Sequence, residues 1–457
     1  MMNRADNELL TRIARGTPMG AMLREYWVPA CRSARLEADG APEKVRLFGD
    51  NFVAFRVSDG RVGFMQEACP HRCASLALAR NEGNGLRCIF HGWKFSVEGH
   101  CVDAPTEPRA QRERFAASVP VRSHPTREAG GLVWVYMGEA AEPPRFPDYE
   151  FTQLPDDHVQ PYRGIIRTNW LQGLEALLDS AHVTFLHSAN LGSERGRSYF
   201  KAESDYMLND GAPVFEFDAR PYGFREGAIR EEGDARLYAR VREVALPFFS
   251  FIPSAPRGPR IVCCSIPIDD VTTAQWYIAY DTDGPLRPDL FGAFGMWSGD
   301  PDHFNADMGG PEDLWQQDRQ AMKDGHWSGI TGRGNAYEDF AVQESMGPIV
   351  DRSEEYLGTC DRVIYRARKL LLEAVKRHRD TGELSFAGDD IDYRTIRAVS
   401  YAYPRGMVHL SGLLDRYCRL DIVSVLGSLP SRNGSPLREW NRCLRAVLFR
   451  ESAIEDP

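Results

Sequence analysis

Apolar side chains recur every three to four positions through Leu9, Leu10, Ile13, Met19, Met22 and Leu23, which predicts an amphipathic helical segment over residues 8–27. Near Val45 the period changes to two. Asn51 to Val57 and Arg61 to Met65 read as strands flanking Asp59-Gly60, a two-residue hairpin signal. Glu98-Gly99 marks another turn, and Gly130 to Tyr136 reads as a buried strand that closes an all-β unit. The proline-rich run from Glu142 to Pro147 looks like a linker. Beyond it, Asn169 to His182 has the pattern of a buried helix with Glu175, Asp179 and His182 on one face. His187, about 140° further round an ideal helix than His182, requires a break between the two histidines. Segments 237–252 and 260–281 are β-rich, and a long helical pattern runs from Glu338 to Lys376. An antiparallel sheet with helices laid across one face is the expected architecture of this larger part.

Two Cys-His pairs carry the strongest chemical signal. Cys69-Pro70-His71 is followed, after sixteen intervening residues, by Cys88-Ile89-Phe90-His91. Two thiolates and two imidazoles can hold a zinc ion or a Rieske [2Fe-2S] cluster, in which one iron takes both cysteines and the other both histidines. One Cys and one His from each half is what two loops clasping a two-iron rhomb require. A second group needs explanation in so long a chain. Acidic side chains and histidines on an apolar helix face are costly unless paired or metal-bound, and His182 and His187 need one carboxylate to complete a face that binds non-haem Fe(II).

Together with His91-Gly92-Trp93-Lys94-Phe95, the first motif resembles the Rieske domain of ring-hydroxylating oxygenases. The run D-x-x-H-x-x-x-x-H from Asp179 to His187 is similar to the mononuclear-iron motif of the same enzymes. That resemblance implies a distant Asp as third ligand: Asp339 is the choice, with Glu338 and Glu344 as competitors. It implies an α+β chain, an all-β Rieske domain plus a helix-grip catalytic domain. The expected boundaries are a helical segment over 1–40, the Rieske domain over 41–142, the iron domain over 143–412 and an unassigned tail over 413–457.

Gln343 to Ser353, and Tyr238-Ala239-Arg240 leading into Leu246-Pro247-Phe248, bring the chain nearest to the phthalate dioxygenase branch. The resemblance then implies an aromatic carboxylate substrate held by Arg240, with Lys201 and Arg225 next in line. It also implies cis-dihydroxylation with O2, and a homotrimer or stacked trimers in which Asp179 bridges to the His91 of a neighbouring subunit. O- or N-demethylation uses the same metals. A Rieske electron carrier and a zinc-stabilised binding module are the readings from other classes.

Composition sets limits. The net charge of −10, from 55 Lys plus Arg against 65 Asp plus Glu, argues against a nucleic-acid partner. No apolar run approaches a membrane span and no signal peptide is visible, so a cytoplasmic location is expected. Besides Cys69 and Cys88, the cysteines (Cys31, Cys73, Cys101, Cys263, Cys264, Cys360, Cys418 and Cys443) are expected as thiols. With no dinucleotide motif and no plant-type ferredoxin run, electrons from NAD(P)H must come through a separate reductase carrying flavin or iron-sulfur.

Overall fold

Asn3 and Thr17 accept hydrogen bonds from Asp6 N (2.8 Å) and Gly20 N (3.1 Å), and so cap two short helices, α1 (Arg4–Thr11) and α2 (Pro18–Arg24). The computed structural model describes residues 2–140, 142–200, 203–255, 258–287, 300–331 and 334–405. After α2 the chain turns to a strand, β1 (Trp27–Arg32), inside the segment expected to be helical. There follow β2 (Glu43–Leu47), β3 (Asp50–Arg56), β4 (Val62–Gln66), β5 (Arg80–Asn81), β6 (Gly85–Arg87), β7 (Lys94–Ser96) and β8 (Cys101–Asp103). Helix α3 (Arg112–Ser118) and strands β9 (Thr126–Ala129) and β10 (Leu132–Tyr136) complete this part. Its sheets run β1-β10-β9, β2-β3-β4 and β5-β6-β7-β8.

The β3–β4 hairpin differs from expectation by one residue. Val57 N still donates to Arg61 O (3.0 Å), so the loop is Ser58-Asp59-Gly60, with Gly60 at φ +89° and its N–H on Val57 O (2.9 Å). A left-handed glycine as third loop residue is the other common way to match the twist of the strands. The proline-rich segment after β10 is not a free tether either, because Phe146 packs edge-on against Trp27 (5.6 Å) and Trp134 (5.3 Å).

The second part contains β11 (Val159–Ile166), α4 (Trp170–Leu178), α5 (Ser188–Gly192), α6 (Glu194–Phe200), α7 (Glu203–Asn209), β12 (Val214–Arg220) and β13 (Gly223–Glu232). Next come β14 (Arg236–Ala245), β15 (Phe249–Ile252), β16 (Arg260–Pro267), β17 (Thr273–Tyr280), α8 (Arg319–Lys323), α9 (Asn335–Ser345), α10 (Arg362–Thr381) and β18 (Val399–Pro404). The strands form an eight-stranded antiparallel sheet in the order β11-β17-β16-β15-β14-β13-β12, with β18 beside β14. Every residue of β16 and β17 is buried, as strands covered on both faces must be.

Helix α4 lies close on this sheet because residue 173 is glycine. A Cβ there would come within 2.5 Å of Ser265 Oγ, while Ser265 donates to Trp170 O (2.6 Å) and Gln275 to Gly173 O (3.0 Å). Glu175 accepts hydrogen bonds from Arg352 (2.8 and 3.1 Å) and Arg368 (2.6 Å), which ties α4 to α10. The pattern expected as one long helix is two, α9 and α10. Gly347, at φ +85°, and Pro348 stop the first, since proline has no N–H for a continuing turn and the glycine takes the left-handed cap. No helix among the described residues is long and apolar enough to cross a membrane.

Candidate metal centres

The two Cys-His loops are built on one template. Cys73 N donates to Cys69 O (2.8 Å) and Gly92 N to Cys88 O (3.0 Å), while Cys69 N donates to Ala74 O (2.9 Å) and Cys88 N to Trp93 O (2.8 Å). Each loop therefore closes four residues after its cysteine on a left-handed residue, Cys73 (φ +59°) and Gly92 (φ +75°). This explains Cys73, which is exposed and serves the backbone turn.

The loops bring like to like. Cys69 and Cys88 are buried at 1% and 3% exposure, and the rings of His71 and His91 meet at 4.4 Å, partly open to solvent. Trp93 stacks on His71 at 4.5 Å and is held by its own Nε1–H to Thr106 (3.1 Å). Burial pushes the Cys69 thiol up to about 11, and His91 Nδ1 is buried with no hydrogen-bond partner among the described residues. Two buried sulfurs on one side and an orphaned imidazole nitrogen on the other fit a two-iron cluster ligated by two cysteines and two histidines.

At the second centre, α4 ends earlier than expected. Asp179 has extended backbone (φ −69°, ψ 129°), so Glu175, Asp179 and His182 do not share a helix face. Instead Asp179 Oδ1 accepts from Ala181 N (2.7 Å) and His182 N (3.4 Å), bracing the chain where it enters a single tight turn over His182–Thr184. His187 then opens α5. The expected break between the histidines is present, and a second one precedes them.

This path lets the imidazoles converge. His182 Nε2 and His187 Nε2 are 3.2 Å apart, and Asp339 Oδ1 from α9 lies 3.5 and 3.1 Å from them. All three donor atoms fall within 4.8 Å of one another, and no other such group of three occurs among the described residues. Two imidazoles and one carboxylate on one side, with the opposite side open to a cavity, suit Fe(II) with free coordination positions.

Other carboxylates surround this group. Asp179 Oδ2 lies 3.4 Å from His182 Nδ1. Burial would raise the Asp179 carboxyl, but hydrogen bonds from His182 and Ala181 outweigh it and bring it to about 2. Glu338, one of the competitors for the third ligand, sits behind His187 at 2.8 Å from Nδ1, on the far edge of the ring. The other, Glu344, is engaged by Arg167 (2.6 Å) and Trp315 (2.8 Å), away from the histidines. Burial lowers His187, and Asp339 and Glu338 outweigh it, pushing the imidazole up to about 9.

A cavity of about 670 Å³, counting its opening to solvent, lies over the histidines. Val183, Leu191, Met207, Ile252 and Ile261 form its apolar wall. Arg240 also lines it, only 5% exposed, with Nε unpartnered among the described residues, so it is no surface arginine. Arg225, the alternative anion anchor, is instead bound to Glu243 (2.6 Å), and Lys201 lies outside the described residues, as does the tail 413–457. Arg242, Tyr277 and Asn335 line the cavity as well, and sequence reasoning misses them. Alternation along β14 is the available signal for Arg242, two residues from Arg240 on the same face. Arg242 is paired with Glu226 (3.1 Å) and reaches Leu178 O at the end of α4.

Comparison with known proteins bears on the family of the chain. The model of the Rieske [2Fe-2S] domain matches residues 26–125, and that described as LigXa C-terminal domain like matches residues 135–403. The chain is 34% identical to the 3-chlorobenzoate-3,4-dioxygenase oxygenase subunit of Comamonas testosteroni, over 88% of this chain and 95% of that one. It is 36% identical to the phthalate 4,5-dioxygenase oxygenase subunit of Pseudomonas putida, over 82% and 86%. The terminal oxygenase of carbazole 1,9a-dioxygenase from Nocardioides aromaticivorans has the same fold, with a TM-score of 0.55 at 16% identity over 81% of this chain and 97% of that one.

Proposed function

The chain belongs to the Rieske non-haem iron oxygenases, as an oxygenase subunit fed by a separate reductase, and from this premise we propose that it hydroxylates an aromatic carboxylate of the phthalate or benzoate type, by cis-dihydroxylation. A Rieske cluster would supply electrons one at a time, and a mononuclear iron would activate O2. Cys69, His71, Cys88 and His91 would hold the former; His182, His187 and Asp339 would hold the latter.

The observation that carries the substrate class is Arg240. A guanidinium at 5% exposure in the wall of the cavity over the histidines, with Nη1 against the Met207 thioether and Nε unpartnered among the described residues, has no carboxylate to balance its charge there, and a substrate carboxylate is its natural complement. The apolar side chains opposite seat a ring and exclude water. Arg242, bonded to the end of α4 and to Glu226, holds the turn that carries Asp179 and His182 against the sheet. An electron carrier alone would leave both the cavity and its histidines without a role.

Electron delivery on this reading passes between subunits of a trimer. The Asp179 side chain is 31% exposed beside His182, and His91 opens outward flanked by exposed Ile89 and Phe90. A second copy could therefore present its His91 to Asp179. A cytoplasmic location goes with this reading, since NAD(P)H is the ultimate electron source.

The test is O2 uptake by the chain with a surrogate reductase, over a panel of benzoates, phthalates and methoxybenzoates, with product identification. A cis-diol from a carboxylated ring supports the proposal. Formaldehyde from the methyl ethers, with no diol from any acid, replaces it with demethylation.

A further inference from the structure

Glu338 is a fully buried carboxylate whose single ion-pair partner among the described residues is an imidazole, His187, at 2.8 Å. A carboxylate so placed is expensive unless donors and a cation compensate it. Donors are present. Oε2 accepts from His187 Nδ1 (2.8 Å) and Asn190 Nδ2 (2.9 Å), and Oε1 accepts from Ser328 Oγ (2.6 Å). Among the described residues no lysine or arginine pairs with it; a metal ion held across the ring, where His187 Nε2 faces Asp339 and His182, would supply the charge.

We propose that Glu338 is a positioning residue for the mononuclear iron, fixing His187 as the Nδ1–H tautomer so that Nε2 presents its lone pair to the metal. The inference rests on the reading that His182, His187 and Asp339 hold the iron. Helix geometry makes the arrangement possible, because consecutive residues of α9 diverge by about 100° and so Glu338 and Asp339 reach the two nitrogens of one ring. One helix turn thus supplies a ligand and the orienting group for its neighbour. Asn190 and Ser328 fix Glu338 in turn, drawing α5 and the loop before α9 onto the same carboxylate. The equivalent contact on His182 is weaker, at 3.4 Å from a carboxylate that is 31% exposed. The two histidines are therefore held unequally, and His187 is the rigid one.

The experiment uses full-length protein, stripped of mononuclear iron with its Rieske cluster intact, titrated with Fe(II), and then examined as the ferrous nitric oxide adduct by EPR. Glu338→Gln keeps the shape and loses the charge. It is expected to weaken Fe(II) binding by about 10- to 100-fold and to change the rhombicity of the nitrosyl signal, with the Rieske spectrum unchanged. Glu344→Gln is the control, a buried carboxylate of the same helix that touches neither histidine, and it should alter neither readout. Ser328→Ala, which keeps the carboxylate and removes one donor, should give a smaller shift in both, and stands in if Glu338→Gln does not fold. Fe(II) affinity of Glu338→Gln within about threefold of the parent, or a Ser328→Ala protein identical to the parent where Glu338→Gln cannot be made, overturns the proposal. Failure of the parent itself to take up one Fe(II) per chain overturns the ligand reading beneath it instead.

Discussion

Asp179 Oδ2 lies 3.4 Å from His182 Nδ1, on the edge of the ring turned away from Asp339. With His182 as an iron ligand, as proposed, this partly exposed carboxylate would be placed to pass electrons from outside the chain. Asp179→Asn keeps the shape and removes the charge. At saturating iron the expected outcome is full Rieske absorption and normal iron content, with cluster oxidation in a single turnover slowed more than tenfold, about 1.4 kcal/mol of barrier. A rate within tenfold of the parent would show that electrons take another route.

The two centres can be separated by substitution. Cys69→Ser or Cys88→Ser should abolish the visible Rieske spectrum, because an alcohol does not replace a thiolate on this cluster. His182→Ala or His187→Ala should keep that spectrum and stop substrate-dependent O2 uptake. Absorption spectra and an oxygen electrode distinguish the outcomes, and the reverse pattern would invalidate both assignments.

Arg240→Met retains the length and apolar body of the side chain while removing its charge. Losing a charge-assisted hydrogen bond of about 1.5–3 kcal/mol should raise KM for carboxylate substrates roughly 10- to 100-fold, with a smaller effect on an uncharged analogue. Equal effects on both would mean that Arg240 shapes the cavity without binding the acid.

His124 gives stability a pH dependence distant from the metals. Burial beside Phe52 (5.4 Å) and Phe64 (6.2 Å) brings the imidazole down to about 4. The unfolded chain binds the proton at about 6.5, so this stability is complete above pH 6.5 and falls away toward pH 4. The loss is on the order of 3 kcal/mol. Urea unfolding at pH 7 and 4.5 should show a larger decrease for the parent than for His124→Gln. An identical decrease in the two proteins would clear His124.

The two Cys-His pairs and the His182-His187 pair are legible because each falls within a few residues of chain, whereas Asp339, the proposed third ligand, lies about 150 residues further on. Helix ends are not legible. The apolar period carries α4 on through Asp179, yet that side chain accepts from the backbone amides two and three residues on, Ala181 and His182, the competition that makes aspartate a poor residue for a helix interior. Gly347-Pro348 is a plain stop signal, but the apolar period on either side of it reads as continuous. β1 pairs Trp27 with Tyr136, more than a hundred residues away, and no local pattern announces such a partner. Glu338 and Asp339 are indistinguishable by type; only the fold sets one against each edge of the His187 ring.

His182 and Asp339 are separated by about 150 residues of chain, which include strands β12 to β17 of the large sheet. A single ion held by both, as proposed, would act as a staple, closing a loop that covers a third of the protein. Closing loops of that length by a covalent link is worth roughly 4–5 kcal/mol in chain-entropy terms, and a coordination bond draws on the same source. On the proposed ligand set, loading the iron and securing the sheet would be one event, and a subunit emptied of that metal would also lose a clasp on its architecture.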